Sequence, residues 1–224
     1  MEQLIQTPRT TLRRRPARGS YDRALVHSIL DEALVCHVGF SAGDQTFVTP
    51  TAFGRIGDRL YIHGAVVNRT VRSLRGGTPV CITVTLLDGL VLARSAFHHS
   101  MNYRSVMIFG IATEVTDSSE CLQALSAIVN HMVPGRSDSA RPPTEQELKA
   151  TSVLALEITE ASAKVRAGAP VDDDEDYALP HWAGVIPMKL QPQPPIADAL
   201  LMPGTPVPPE VASYVRGTNG NLTP

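Results

Sequence analysis

Short apolar segments alternate with tight turns between residues 34 and 116, and this pattern constrains the fold more than any other feature. The turn dipeptides include Gly57-Asp58 and Asp88-Gly89, and Asp-Gly between apolar runs is a strong hairpin signal. Strands joined by such turns pair antiparallel, and their sheet must close on itself or be covered. We therefore expect a mainly β protein, a small antiparallel barrel or sandwich with flanking helices. The predicted strands are Leu34–Phe40, Thr46–Arg55, Arg59–Gly64, Val80–Leu87, Leu90–Phe97, Tyr103–Thr116 and Val153–Val165.

Helices are predicted where a capping residue precedes apolar residues at helical spacing. Residues 1–19 form an extended basic arm, which either stays solvated or docks onto an acidic surface or a partner subunit. Residues 20–186 form the folded domain, and residues 187–224 are a proline-rich tail that is expected to be extended. The predicted helices are Tyr21–Glu32 with Ser20 as its cap, Ser118–Asn130 with Asp117 as its cap, and a short helix opened by the capping box Thr144/Glu147.

The overall composition excludes some classes of function. With 20 Lys+Arg and 22 Asp+Glu, the formal net charge is -2, which argues against non-specific nucleic-acid binding as the main task. The longest apolar runs are too short to span a bilayer, and the N-terminus lacks the apolar core of a secretory signal. Three widely spaced cysteines suggest reduced thiols. We therefore expect a cytoplasmic protein that is not inserted in a membrane.

The segment Leu60–Leu74 has the residue types of a phosphate site. A strand ends at His63-Gly64, and a short helix then begins at Asn68-Arg69-Thr70. An amide, a guanidinium and a hydroxyl beside free helical N–H groups suit a phosphate dianion. Arg72 lies three residues after Arg69 and can face the same anion. The alternative is a solvated basic helix without a ligand.

A neighbouring segment could hold a flat ring. The small residues Thr49, Thr51 and Ala52 leave room beside the strand, and Pro50 removes one ladder donor. The chain has no G-x-G-x-x-G fingerprint and no P-loop motif, so a dinucleotide on a Rossmann fold is not indicated. A mononucleotide such as FMN, with one terminal phosphate and a flat ring, fits these residues. The alternative is an irregular edge strand.

A polar turn stands between two apolar strands near residue 100. It contains imidazole, amide, hydroxyl and phenol groups, which together suit the rim of a ligand pocket. The alternative is a turn whose polar groups satisfy one another. Because the histidines lack a short ligand spacing and nearby acidic residues, no metal site is expected. The candidate residues are His98, His99 and Tyr103 for proton transfer, and Ser100, Asn102, Arg104 and Ser105 for cofactor binding.

Four segments together resemble a known family, the pyridoxamine 5′-phosphate oxidase-like split-barrel flavoproteins, which include the nitroimidazole-resistance reductases. These segments are VTPTAFGRIGDRLYIHG, NRTVRSL, LVLARSAFHHSMNYRSVMIFG and HWAGVIP. The resemblance covers roughly residues 20–187. It implies an antiparallel, Greek-key-like split barrel that binds FMN at the interface of a homodimer.

The resemblance also implies roles for particular residues. Asn68-Arg69-Thr70 occupies the place of the Ser-Arg-Lys triplet that binds the FMN phosphate in the oxidases. Arg104-Ser105-Val106 matches the oxidases' Arg-Gln-Val, and Trp182 would cover the flavin ring from the second subunit. The arginine-and-histidine signature by which the oxidases bind pyridoxal phosphate is missing near the C-terminus. The FMN site therefore carries over better than the substrate.

These observations favour an FMN-dependent oxidoreductase that acts on a small organic molecule. The flavin would supply the redox chemistry, and the protein would supply orientation and electrostatics. Two alternatives remain open at this point. One is a haem-binding or haem-degrading split-barrel protein, and the other is a flavin-binding protein without catalytic activity.

Overall fold

The computed structural model describes residues 2–216, and the last eight residues of the proline-rich tail lie outside this range. Seventeen strands and α-helices make up the described chain, most of them short. In chain order they are β1 (Gly19–Ser20), α1 (Arg23–Glu32), β2 (Cys36–Ala42), β3 (Gln45–Thr51), β4 (Gly54–Ile56), β5 (Arg59–Ala65), α2 (Arg69–Arg75), β6 (Pro79–Leu92), β7 (Ser100–Ile111), β8 (Thr113–Glu114), α3 (Ser118–Met132), α4 (Arg136–Ser139), α5 (Glu145–Ala150), β9 (Thr151–Glu157), β10 (Glu160–Arg166), β11 (Gly184–Pro187) and α6 (Pro209–Ala212).

The strands form two antiparallel sheets. The large sheet has the order β1-β10-β7-β6-β2-β3, and β11 pairs with the far end of β6. The small sheet has the order β4-β5-β9-β8. The predicted mainly β, antiparallel split-barrel architecture is confirmed, although the sheets do not close into one continuous barrel. None of the helices within residues 2–216 is long and apolar enough to cross a membrane.

The core lies on one face of the large sheet, because alternate residues of each strand point to opposite sides. In β2 the buried residues are Cys36, Val38 and Phe40, whereas His37 is exposed on the other side. Helix α1 and the apolar residues of β5 and β9 complete the core. The opposite side, called the outer face below, carries exposed apolar side chains, namely Val48, Leu87, Met107 and Ile111.

The predicted hairpin at Asp88-Gly89 is wrong. Strand β6 runs through this dipeptide, and its register with β7 shifts between Leu87 and Gly89. The irregularity lies where β6 begins to pair with β11, since Pro187 of β11 is opposite Gly89. A Cβ atom added to Gly89 would lie 3.0 Å from Val185 Cγ1. The strands are joined instead by residues 93–99, which include a 3₁₀ turn over Ala96–His98.

Three other predicted strands are each divided between the sheets. Thr46–Arg55 becomes β3 and β4, with the fully buried Phe53 at the corner between them. Tyr103–Thr116 becomes β7 and β8, and Val153–Val165 becomes β9 and β10. Apolar residues continue across all three corners, so periodicity alone cannot detect the change of sheet. The helix predictions fare better, although the side chain that caps α1 is Asp22, which accepts from Ala24 N at 3.1 Å, and not Ser20.

The N-terminal arm lies along the domain. Leu4 is buried in the core and donates its backbone N–H to Tyr21 O at 2.8 Å. Arg9 pairs with Glu160, and its guanidinium lies 5.1 Å from the centre of the Phe109 ring. Part of the outer face is therefore covered by the chain's own arm.

An ion-pair network ties α1 to the large sheet. Arg104 on β7 donates to Asp88 from Nε at 3.0 Å and from Nη2 at 2.7 Å. The same guanidinium donates to Glu32 at the end of α1, with Nη2 to Oε1 at 2.8 Å. These side chains are at most 21% exposed. The hydrogen bonds with Glu32 and with Asp88 raise the pKa of Arg104 and keep it charged.

Replacing Arg104 by Ala should lower the free energy of unfolding by about 3 kcal/mol, because two shielded carboxylates lose their counter-charge. Urea denaturation of the purified protein measures this. The matched control is Arg141→Ala, since Arg141 pairs with Glu147 at an exposed site and its loss should have little effect. Equal effects of the two substitutions would contradict a structural role for Arg104.

His131 should make stability depend on pH. Its Nε2 donates to Ala33 O at 2.6 Å, its ring lies 4.4 Å from the Phe53 ring, and burial lowers its pKa. As pH falls through about 6.5, the unfolded chain binds a proton before the folded chain does, so stability falls. His131→Gln should therefore flatten the slope of unfolding free energy between about pH 7 and 5.5, whereas the exposed control His181→Gln should not. An unchanged slope in His131→Gln would contradict this assignment.

Candidate functional site

Helix α2 and the end of β3 form a basic corner, called the α2 corner below. Asn68 caps the helix, and its side chain accepts from Thr70 N at 2.8 Å. Thr70 Oγ1 lies 3.3 Å from Thr49 Oγ1 on β3. Gly64 allows α2 to pack closely on β5, because a Cβ at this position would lie 2.9 Å from Val71 Cγ2. The structure thus brings together two predicted segments that are separate in sequence, Leu60–Leu74 and the strand that carries Thr49.

Two arginines of the α2 corner are available to an anion. Arg69 and Arg72 line a cleft of about 370 Å³ together with Val67 and Ser73. Within residues 2–216, no carboxylate lies within 4.0 Å of either guanidinium. The Arg69 guanidinium lies 5.0 Å from the centre of the Phe47 ring, which positions it without using its N–H donors. Since α2 has only seven residues and Asn68 occupies one of its N–H groups, the guanidinium groups dominate the chemistry of this corner.

The remaining β3 candidates lie on different sides of the strand. Thr49 and Thr51 pair with the inward residues Val38 and Cys36, so they lie on the side of α2. Pro50 is exposed and lies beside His37 on the outer face. At the end of the strand, Thr51 donates its hydroxyl to Ala52 O at 3.2 Å, and Ala52 packs against a second apolar cluster.

The β7 candidates are not close to the α2 corner within one chain. Strands β2 and β6 separate β3 from β7, which is a distance of about 14 Å at the usual strand spacing. Arg104 is already held by two carboxylates. Asn102 is buried and donates to Gly168 O at 3.1 Å, while Ser105 donates to Lys164 O at 3.3 Å. Ser100 opens β7 opposite Val91 of β6.

The polar turn is partly satisfied by its own contacts. His98 Nε2 lies 3.2 Å from Asp173 Oδ2, and His99 Nδ1 lies 3.0 Å from Ser95 O. Asp176 joins the first pair, and the three ligand atoms are within 4.8 Å of one another, as a metal site would require. Sequence spacing missed this group because Asp173 is 75 residues from His98. Tyr103 lies opposite Arg166 of β10, and its role stays a prediction.

Trp182 stands just before β11 and is 67% exposed. Its ring covers Gly184, where a Cβ would lie 2.8 Å from Trp182 Cζ2. Gly184 pairs with Leu92 at the far end of β6. Within the described chain Trp182 is therefore a surface residue beside the end of β6, and its predicted place over a flavin ring would require a second subunit.

A second cleft was not predicted. It has a volume of about 470 Å³, and α3 and the loop of residues 140–143 provide most of its walls, which are mainly apolar. His63 belongs to this α3 cleft and not to the α2 corner, because His63 and Gly64 point to opposite sides of β5. The imidazole stays open to the cleft, but partial desolvation lowers its pKa and favours the neutral form. The other lining residues include Leu122, Leu125, Val129, Met132, Arg141, Pro142 and Leu148.

The geometry can be compared with that of known proteins. A family model described as pyridoxamine 5′-phosphate oxidase matches residues 22–165. The flavocytochrome Anf3 from Azotobacter vinelandii is 42% identical, with a TM-score of 0.89 over 94% of this chain and 98% of that one. The FAD- and haem-binding protein from Mycobacterium smegmatis is 37% identical, with a TM-score of 0.83 over 87% and 95%.

A more distant similarity agrees with these two. A candidate 5-nitroimidazole antibiotic resistance protein from Bacteroides thetaiotaomicron is 25% identical, with a TM-score of 0.56 over 66% of this chain and 86% of that one. No curated protein sequence matches the chain. The family match and the two closely similar structures agree with the observed fold. The chain belongs to the pyridoxamine 5′-phosphate oxidase family, with its flavin-binding split-barrel fold.

Proposed function

We propose that this protein is a flavin-dependent oxidoreductase that acts on a small organic molecule. The observation that carries the proposal is a pair of guanidinium groups, Arg69 and Arg72, that have no carboxylate partner among residues 2–216 and line a cleft in a flavin-binding fold. A flavin phosphate would neutralise both cations, and the hydroxyl of Thr70 would add a hydrogen bond. The flat ring would extend from the phosphate along Thr49 and Thr51.

The α2 corner suits the phosphate nearest the ring, which FMN and FAD share. The sequence resemblance favours FMN. The similarity to the Mycobacterium smegmatis protein favours FAD, because that protein binds FAD and is 37% identical to this chain. FAD would place its second phosphate and adenosine outside the cleft of about 370 Å³. Mass spectrometry of the flavin released from purified protein decides between the two.

The proposal includes a homodimer with the flavin at its interface. Two observations support it. The β7 residues that the resemblance assigns to the flavin lie about 14 Å from the α2 corner in one chain, so a second copy would have to supply its own. The outer face also exposes Val48, Met107 and Ile111, which a soluble monomer would leave in contact with water.

When bound, the flavin would supply hydride or single-electron chemistry. The residues of this chain would bind and orient it and handle protons. His98, His99 and Tyr103 are the candidates for proton transfer to the substrate. The contact of His98 with Asp173 would hold its imidazole in one orientation, since the carboxylate accepts from the ring N–H.

The α3 cleft supports a second cofactor, haem. Two similar proteins, a flavocytochrome and an FAD- and haem-binding protein, give the chemical class. The cleft fits a haem in its donor set and in its walls. His63 offers a neutral imidazole to iron, and most of the walls are apolar. Arg141 at the rim, which pairs with Glu147 in the single chain, could turn to a propionate. The second candidate function is therefore that of a flavocytochrome, in which the chain would hold both a flavin and a haem.

Replacing Arg69 by Ala should weaken flavin binding about 10- to 100-fold, because one charge-assisted hydrogen bond to phosphate contributes roughly 1.5–3 kcal/mol. Fluorescence titration of apoprotein with FMN and with FAD measures the change. The matched control is Arg75→Ala, which removes the same charge from the same helix but from a residue paired with Glu114. An unchanged dissociation constant in Arg69→Ala would refute the α2 corner as the phosphate site.

Replacing His63 by Gly should remove the Soret absorbance of protein reconstituted with haemin, since the iron loses its protein ligand. Added imidazole should restore that absorbance, because it can occupy the space vacated by the side chain. The control is His181→Gly, whose imidazole is exposed and lies outside both clefts. Retention of the wild-type spectrum in His63→Gly would place any haem elsewhere.

A further inference from the structure

The C-terminal tail forms a loop whose two ends are fastened near the same point of the domain. At its start, Met188 N donates to Asp88 O at 3.0 Å, and the Asp88 side chain belongs to the Arg104 network. At its end, Arg216 donates to Glu32 O at 3.0 Å and to Asp31 O at 2.9 Å. Residues 189–208, called the tail loop below, therefore leave the domain beside the Arg104 network. The chain returns to the domain at Glu210, which contacts Arg136 and Ser139 of α4, and Arg216 then reaches the end of α1.

The tail loop places apolar side chains in water. Ile196 is 96% exposed and Leu200 is 89% exposed, and Leu190, Met202 and Val207 are also exposed. Within the described residues, the hydrogen bonds of this loop are internal ones, such as Leu201 N to Asp198 O at 3.1 Å. A connecting loop normally exposes polar residues, so a run of exposed aliphatic side chains indicates a surface that is covered in the functional state.

The composition of the loop suits docking onto another protein surface. Its only charged residues are Lys189 and Asp198, so it has no basic cluster for nucleic acid or for an anionic membrane. Six of its residues are prolines, which restrict the free loop and so reduce the entropy lost on docking. Twenty residues that leave and return can reach roughly 30 Å, which exceeds the width of the four strands from β3 to β7.

We infer that the tail loop packs on a second copy of this chain, against the exposed apolar residues of its outer face. This inference rests on the homodimer of the proposed function. Each copy carries one loop and one outer face, so a two-fold pair would use both surfaces twice. The loop aliphatics and the outer-face residues Val48, Met107 and Ile111 have matching chemistry, and both are exposed in the single chain. The loop thus clasps the partner and continues the interface at which the flavin would bind.

The first test is the double substitution Ile196→Asp with Leu200→Asp. Both side chains are exposed in the single chain, so the protein should fold, while the dimer dissociation constant should rise about 100-fold, as for a hot spot of an interface. Sedimentation equilibrium measures the constant. The matched control is Val171→Asp with Leu179→Asp, which adds the same charge at exposed apolar residues outside the loop and should leave it unchanged.

The second test identifies the surface that the loop contacts. A photo-crosslinking amino acid at position 196, in dimer reconstituted from ¹⁴N- and ¹⁵N-labelled chains, should give mixed-isotope crosslinks to peptides around Val48 or Met107. Crosslinks within one chain only, or crosslinks to neither copy, would overturn the inference.

The outcomes separate this inference from the proposal on which it rests. A dimer that is unaffected by the double substitution and lacks mixed-isotope crosslinks would reject the loop contact but leave the homodimer standing. A wild-type protein that sediments as a monomer would reject both. Flavin titration of the same variants measures the flavin affinity of the α2 corner, whichever of these two results is obtained.

Discussion

The Arg104 network is the constraint on which much of the molecule depends. One guanidinium joins the end of α1, the irregular part of β6 and the start of β7, through Glu32 and Asp88. Breaking it would leave two shielded carboxylates beside each other, so the three elements keep one arrangement. The tail is fastened to the same place by Met188 and Arg216. Arg104 was predicted from the sequence to bind a cofactor, but its observed side-chain contacts are with Glu32 and Asp88 and are structural.

The alternation of side chains along the strands distributes the candidate residues over several surfaces. Thr49 points to the α2 corner and Pro50 to the outer face, and His63 and Gly64 divide in the same way between two clefts. A run of adjacent functional residues in the sequence is thus not one site in space. This explains why the single chain brings together the proposed phosphate contacts but leaves the β7 candidates three strand spacings away.

Much of the fold could be predicted from local chemistry. The capping residues Asn68, Asp117 and Thr144 correctly marked the starts of three helices, because each cap is a contact between near neighbours. Asp88-Gly89 misled because its geometry is decided by β11, almost a hundred residues later in the chain. For the same reason the sequence could not reveal that Asp173 meets His98, or that apolar residues of α3 leave a cleft beside His63. Each of these three features depends on contacts between residues that are far apart in the sequence.

The two proposed cofactor sites share a wall, and this has a consequence for how they could work together. His63 and Gly64 are consecutive residues of β5, about 3.8 Å apart at their Cα atoms. Gly64 touches α2, which carries Arg69 and Arg72 of the proposed phosphate site, while His63 opens into the α3 cleft. Any movement of β5 that adjusts one site must therefore adjust the other. Because β5 is paired along its whole length with β9, such movement is costly, and the fold holds the two clefts in a fixed relation.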